Sequence, residues 1–475
     1  MRPSRLTRRL GAAVAVSLAV TAMAVDATGA TPAGGAVTNH QGTLPDGATW
    51  TIDVPEHWNG TLLLFSHGLV PPGEPNPAVD ATDPLTAARL LDEGYALAGS
   101  SFATAGWAVE EALRDQRDLL AVVASTIGPP ERTVAWGPSL GGMISVALVE
   151  QHPERFDGAL SLCGVLGGTV GILNSYLDTL FAARSLLAPD APIELVRLTD
   201  PFASIGALTA VLDAAQATPE GRARIALAAA LGDLPTVADA DHPFPPASDP
   251  GAQEDAQYQI LRNLTLFIGL AARADVEQRA GGNPSWNTGV DYAELLRRSV
   301  DRHEVTALYR QTGLDLDGDL ATLAAAPRIA ADPAAMKYAS RFATFSGDLH
   351  DPVLTIHTVG DPLVPVPHEE AYGRTVADAG DTALLRQAFT GRGGHCTFTP
   401  AETVAAIHAL LHRVEHGTWQ QQTTPKSLNA AATALGPELN VHFDDASGSL
   451  VPTAPAYVPF QPGPFLRPFD RDGAA

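Results

Sequence analysis

The 475 residues are 45% hydrophobic and 17% charged, the balance of a globular chain able to bury a sizeable core rather than of a disordered one. A formal net charge of −23 disfavours nucleic acid and anionic membrane surfaces as partners, since both repel it. No internal repeat stands out, which sets aside propellers and solenoids.

The chain opens with Arg2, Arg5, Arg8 and Arg9 ahead of an apolar run from Leu10, and Ala22-Met23-Ala24 offers a small-x-small cleavage site. This predicts a secretory signal peptide over 1–24 and a secreted, extracellular protein. The run stops near Val25, and Asp26 follows instead of a basic stop-transfer flank, so cleavage is expected rather than anchoring. Thr7-Arg8-Arg9 is similar to the start of a twin-arginine signal, although Gly11 stands where that signal carries a large apolar residue. Elsewhere no stretch approaches the roughly 20 apolar residues of a bilayer span, so no stable membrane anchor is expected. An exporting compartment lets a disulfide persist, and the two cysteines, Cys163 and Cys396, predict one bond or two separate buried thiols.

After an N-terminal segment, 25–49, strands and helices alternate. Trp50–Val54 reads as a strand towards one edge, and the apolar Thr61–Ser66, ending in His67-Gly68, as a buried central strand. Tyr95–Ser101 is a further strand. Val109–Ile127 has Leu113, Leu119, Leu120 and Val123 at helical spacing and is stopped by Pro129-Pro130. Arg132–Trp136 (strand), Gly137–Gly141 (tight turn), Gly142–Gln151 (helix) and Gly158–Leu162 (strand) complete 50–164. Strands joined by helices of this length run parallel through right-handed crossovers, so the predicted class is α/β, with helices on both faces of a mostly parallel central sheet.

The alternation breaks after Gly164, and 165–346 is mainly helical in pattern, predicting a large helical cap inserted between strands. Within it, Asp239–Gln257 and Gly281–Gly289 have loop composition, the second placed near substrate, and Asp315–Asp319 reads as a solvated turn. The core resumes over 347–419 with the strands Pro352–Val359 and Leu384–Phe389 and the helix Pro400–His416. The remainder, 420–475, is a Pro-rich extension expected to pack across the core or to trail free.

Gly137-Pro138-Ser139-Leu140-Gly141 fits G-x-S-x-G between a strand and a helix. That setting presents a serine on a sharp turn, with small residues two positions either side avoiding clashes. A serine hydroxyl needs a base to take its proton, and the base needs a third group to fix its tautomer. Asp361 directly follows the strand ending at Val359 and so sits at the carboxyl end of the sheet, where open α/β folds place their sites. His395, in Gly391-Arg392-Gly393-Gly394-His395-Cys396, follows the last strand on a flexible glycine-rich loop over the same edge. His350, His357 and His368 lack that context and read as structural.

The order Ser139, Asp361, His395 resembles the α/β-hydrolase superfamily over roughly Trp50–Trp419. The resemblance implies that His67-Gly68 is the oxyanion turn, with the backbone N–H groups of Leu69 and Leu140 facing the developing oxyanion. Leu69-Val70-Pro71-Pro72 replaces the glycine-rich form of that turn. His395-Cys396 is similar to the His-Cys pair of tannases and feruloyl esterases, whose second cysteine directly precedes the nucleophile. Pro138 stands there in this chain. A Cys163–Cys396 bridge holding the His395 loop is what the likeness implies instead.

Metal-ligand spacings and phosphate or dinucleotide fingerprints are not found, so neither metal nor cofactor is expected. The resemblance to secreted carboxylesterases and lipases implies a carboxylic ester hydrolase working through an acyl-enzyme on a small-molecule or polymeric ester. Ser139-Leu140-Gly141-Gly142 and Asp361-Pro362-Leu363-Val364-Pro365 also resemble prolyl-oligopeptidase-like enzymes, which implies a peptidase or amidase. An inactive binding protein on the same fold is the third reading.

Overall fold

The structure, a computed structural model, describes residues 35–342, 344–444 and 448–469. The predicted signal peptide lies outside the described residues. The strands in chain order are β1 (Val37–Thr43), β2 (Thr49–Pro55), β3 (Thr61–Phe65), β4 (Ala96–Ser100), β5 (Arg132–Pro138), β6 (Gly158–Leu162), β7 (Val353–Gly360), β8 (Leu385–Gly393), β9 (Val441–Asp444), β10 (Ser449–Pro452) and β11 (Tyr457–Val458). Among the described residues nine of them form one sheet, in the order β1-β2-β4-β3-β5-β6-β7-β8-β11, and β9 and β10 pair separately. The run from β4 through β8 is parallel, while β1 and β2 at one edge and β11 at the other are antiparallel.

The α/β class is therefore observed, with the helical insertion between β6 and β7. The central strands are buried on both faces, which is why they read as continuous apolar runs. Leu63, Phe65, Val134, Trp136, Leu160 and Ile356 pack with Val404, Ile407 and Leu410 of the helix Pro400–His416. The helices interleaved with β3–β6 are α1 (Pro84–Asp92), α2 (Val109–Thr126) and α3 (Leu140–Gln151). The insertion carries α4 (Gly168–Leu187), α5 (Pro201–Gln216), α6 (Pro219–Ala230), α7 (Pro250–Ile260), α8 (Arg273–Ala280), α9 (Tyr292–Arg298), α10 (Arg302–Thr312), α11 (Leu316–Ala325) and α12 (Pro333–Phe342). These helices enclose a core of their own, built from residues such as Leu180, Phe181, Leu212, Leu227, Ile260 and Val305. The chain then returns through α13 (Pro367–Ala379), α14 (Pro400–His416) and α15 (Pro425–Ala434).

Two sequence expectations are corrected. Asp239–Gln257 is a loop only to Asp249, because Asp249 caps α7 by accepting from the Ala252 N–H at 3.0 Å and Pro250 supplies a first-turn proline. Asp315–Asp319 is not a solvated turn but the start of α11, and Asp319 is buried between Arg224 (2.8 Å) and the Tyr309 hydroxyl (2.9 Å). The loop Gly281–Gly289 is present, but Asn283, Ser285 and Asn287 are fully buried in it, and Ser285 Oγ accepts from the buried Arg273 at 2.5 Å. It braces the insertion from within.

The C-terminal extension packs across the core. Tyr457–Val458 pairs with Phe389–Thr390, extending the main sheet beyond the expected last strand. Farther on, Phe465 packs against His368 with the rings tilted and their centroids 4.6 Å apart, its N–H donates to Glu370 at 3.0 Å, and Arg467 forms a buried ion pair with Asp178 of α4. The tail thus bonds to both α13 and the inserted helices.

Glu304 on α10 is buried, and that burial, followed by the charges of Asp301 and Glu254, pushes its carboxyl up to about 9. A carboxyl raised in the folded state keeps a proton that the unfolded chain has released, so its contribution falls as pH rises through the folded value. Desolvation lowers the buried His67 and His368 and the half-buried His152, and these oppose this only below their ordinary value near 6.5. Thermal stability is therefore expected to fall between pH 6.5 and 9, and Glu304→Gln should flatten the decline. Calorimetric melting of both proteins across that range checks this, and equal slopes would contradict it.

Candidate active site

The carboxyl ends of β5, β6, β7 and β8 lie side by side in the sheet. They deliver, in that order, Ser139, Cys163, Asp361 and His395.

Ser139 follows β5 directly and precedes α3, with φ 57° and ψ −123°. A non-glycine residue held there costs about 1–3 kcal/mol and needs surroundings that enforce it. Two close approaches do so. A Cβ on Gly137 would stand 2.0 Å from the Ser66 carbonyl oxygen, and one on Gly141 would stand 1.9 Å from the same atom. The glycines of the motif are thus required by the β3 strand end pressing on the turn, and the Ser139 N–H is fixed by the Leu162 carbonyl at 2.8 Å. Ser139 itself is half-buried.

Gly68 is beside it, since a Cβ there would stand 3.5 Å from Ser139 Cβ. Leu69 and Leu140 therefore flank the serine from two turns. Neither backbone N–H donates to an acceptor among the described residues. Leu140 is the first residue of α3, so its N–H is one of the helix's unpaired donors.

Asp361 is fully buried and accepts from the N–H groups of Leu363 (2.9 Å) and Val364 (2.8 Å). His395 Nδ1 lies 2.9 and 2.8 Å from its two oxygens. Because the carboxylate only accepts, Nδ1 carries the proton and Nε2 is left to act as a base. A bulge in β8 between Thr390 and Gly393 shifts the pairing with β7 just ahead of His395, the local device by which strands re-aim side chains near sites.

The His395 loop, expected to be flexible, is tied on every side. Gly394 donates to Gly360 O at 3.1 Å, and Thr358 Oγ1 donates to Gly394 O at 2.7 Å. Arg392 forks onto the buried Glu402 at 2.9 and 3.0 Å. The insertion presses on the same loop: a Cβ on Gly393 would stand 2.2 Å from Asp239 O.

Cys163 and Cys396 form a disulfide with Cα atoms 5.5 Å apart, so the alternative of two thiols is set aside. Cys396 Sγ lies 3.5 Å from His395 Nε2. No hydrogen bond joins Ser139 Oγ to His395 among the described residues. The sulfur pair and His395 also come within 4.8 Å of one another, but a disulfide sulfur is no thiolate ligand, and the cluster is not a metal site.

His357 and Glu369, both fully buried, lie behind Asp361, a pairing that the sequence reading does not bring out. A histidine inside a strand followed by an acid two residues beyond Pro367 was the available signal, but it gains meaning only when α13 folds back on β7.

Residues 94–184, from β4 into α4 and including Ser139, match the prolyl oligopeptidase family. The o-phthalyl amidase of Xanthobacter agilis is 34% identical over 448 residues, covering 88% of this chain and 96% of that one. The chain belongs to the family of that amidase, within the α/β-hydrolase superfamily. Among solved structures, an esterase from Aspergillus oryzae is 14% identical with a TM-score of 0.41, covering 80% of each chain. Feruloyl esterase B from Aspergillus oryzae is 15% identical with a TM-score of 0.38, covering 80% of this chain and 81% of that one. No described helix is long and apolar enough to cross a membrane.

Proposed function

We propose that this member of the amidase family is a serine amidase that cleaves the amide bond of an aromatic acyl group, with Ser139 as nucleophile, His395 as base and Asp361 as the acid that orients it. The observation carrying the reading is the extended identity with o-phthalyl amidase, supported by the Asp361–His395 pair beside a serine on a strand-to-helix elbow. It replaces the ester preference drawn from the carboxylesterase likeness, and activated esters become faster-leaving substrates of the same chemistry.

In this mechanism Ser139 Oγ attacks the amide carbonyl carbon while its proton passes to His395 Nε2, and the oxyanion takes the N–H groups of Leu69 and Leu140. The imidazolium, countered by Asp361, gives that proton to the departing amine as the C–N bond breaks. Water, deprotonated by His395, then releases the acyl group as a carboxylic acid and restores Ser139. The Ser139–His395 contact tightens when substrate is seated, as such contacts do relative to ligand-free sites.

Residues 165–346 serve as the cap that shapes the acyl pocket, and 1–24 direct export. Support for the first is the contact of Asp239 with the His395 loop, and for the second the basic and apolar opening of the chain.

The test compares kcat/KM for an N-phthalyl amide, a p-nitrophenyl ester and an aminoacyl p-nitroanilide. Turnover of the phthalyl amide is expected, with release of the free amine. Cleavage of the ester alone would overturn the amidase reading, and preference for the anilide would replace it with a peptidase.

A further inference from the structure

We propose that His357 is a positioning residue of the site, a buried imidazolium clamped between Asp361 and Glu369 that fixes the acid loop and sets the charge behind His395. The inference rests on the triad reading above.

The geometry assigns the protons. His357 Nε2 lies 2.8 Å from the Val364 carbonyl oxygen, which can only accept, so Nε2 carries hydrogen. Nδ1 lies 3.0 Å from Glu369 Oε1. The other Glu369 oxygen accepts from Thr355 Oγ1 and from Gln387 Nε2, each at 2.5 Å. An acid whose far oxygen is saturated by two donors is arranged as a carboxylate, and its near oxygen then accepts a hydrogen bond from the Nδ1–H. Both ring nitrogens donate, which is the imidazolium. Burial pushes His357 down, but the hydrogen bond and charge of Glu369, with the charge of Asp361, outweigh it and raise it.

The consequence reaches the site by two routes. Val364 is held at both ends, its N–H by Asp361 Oδ1 at 2.8 Å and its carbonyl by His357, so the turn presenting Asp361 is closed on the histidine. His357 Nε2 also stands 3.6 Å from Asp361 Oδ2, the oxygen 2.8 Å from His395 Nδ1. A fixed cation there offsets part of the Asp361 charge that favours protonated His395. The other polar groups around His357 are His368 on α13, whose Nδ1 accepts from the Gly167 N–H at 2.8 Å and which burial pushes down to about 3, and Tyr176 on α4, whose hydroxyl donates to Leu363 O. Both are neutral near pH 7, so Asp361 and Glu369 are the charges that His357 answers.

The experiment measures the kcat/KM–pH profile of His357→Gln, Glu369→Gln and the double variant on one substrate turned over by the wild type. Removing the cation, or the carboxylate that holds its proton, is expected to move the acid limb up by about one pH unit, and the double variant should move it no farther than either single one. A purely structural role lowers turnover with the limb in place, and an unmoved limb in an active variant would overturn the proposal. Should the variants not fold, histidine-selective 15N spectra of the wild type decide it. Two protonated ring nitrogens on His357 at pH 7.5 are expected, and a neutral ring would overturn it. If the wild type shows no Ser139-dependent turnover, the triad reading fails, while those spectra still report the charge of His357.

Discussion

Ser139→Ala is expected to lower kcat by roughly 10⁶-fold while leaving the fold and its melting temperature intact. In triads acting as a unit, loss of the nucleophile alone costs nearly as much as loss of all three groups, and the residual rate comes from the oxyanion donors and binding. The backbone around Ser139 supports an intact fold in the variant. The strain at φ 57° is imposed by the Ser66 carbonyl against Gly137 and Gly141 and by the Ser139 N–H bond to Leu162, and among the described residues the Ser139 hydroxyl makes no hydrogen bond whose loss would cost stability. A circular dichroism melt beside a progress curve separates the two effects. Retained turnover in Ser139→Ala would place the chemistry elsewhere.

Loss of the disulfide, as Cys163→Ser with Cys396→Ser, is expected to cost about 2–5 kcal/mol of stability. The bond spans 233 residues and closes a loop containing the whole helical insertion. Activity should fall with it, by about tenfold to a hundredfold, because the bridge ties the residue next to His395 to the end of β6. Both cysteines have left-handed backbone, φ 46° and 54°, which β-carbon-bearing residues adopt only where surroundings hold them. The loss is limited by the independent anchors of the same loop, Arg392 on Glu402 and Gly394 on Gly360. Urea titration and kcat/KM of the double variant check both parts. Unchanged stability and activity together would show that those anchors suffice.

The parts of this protein legible in its sequence are those where one local pattern decides the structure. Apolar runs such as Thr61–Phe65 and Gly158–Leu162 can be buried only as central parallel strands, and G-x-S-x-G between a strand and a helix permits few other readings. Asp361 and His395 are legible as candidates because Asp361 directly follows one strand and His395 stands on the loop after the last parallel one. What composition conceals is burial bought by distant partners: Asp319 reads as solvated until Arg224 and Tyr309 arrive from other helices. Capping also defeats composition, as where Asp249-Pro250 starts α7 within a Pro-, Asp- and Ala-rich stretch. The tail looks unstructured because its order comes from Glu370, Asp178 and Glu402, all outside it. The partner of His357 is hidden for the same reason, since Glu369 meets it only across the β7–α13 crossover.

The most direct test of the account is to treat the protein with a fluorophosphonate, digest it and locate the adduct by mass spectrometry. One label per chain on Ser139, with hydrolysis of the N-phthalyl amide lost in proportion to labelling, is the predicted result. A folded protein that hydrolyses the amide while Ser139 stays unlabelled would contradict the nucleophile assignment and the mechanism built on it.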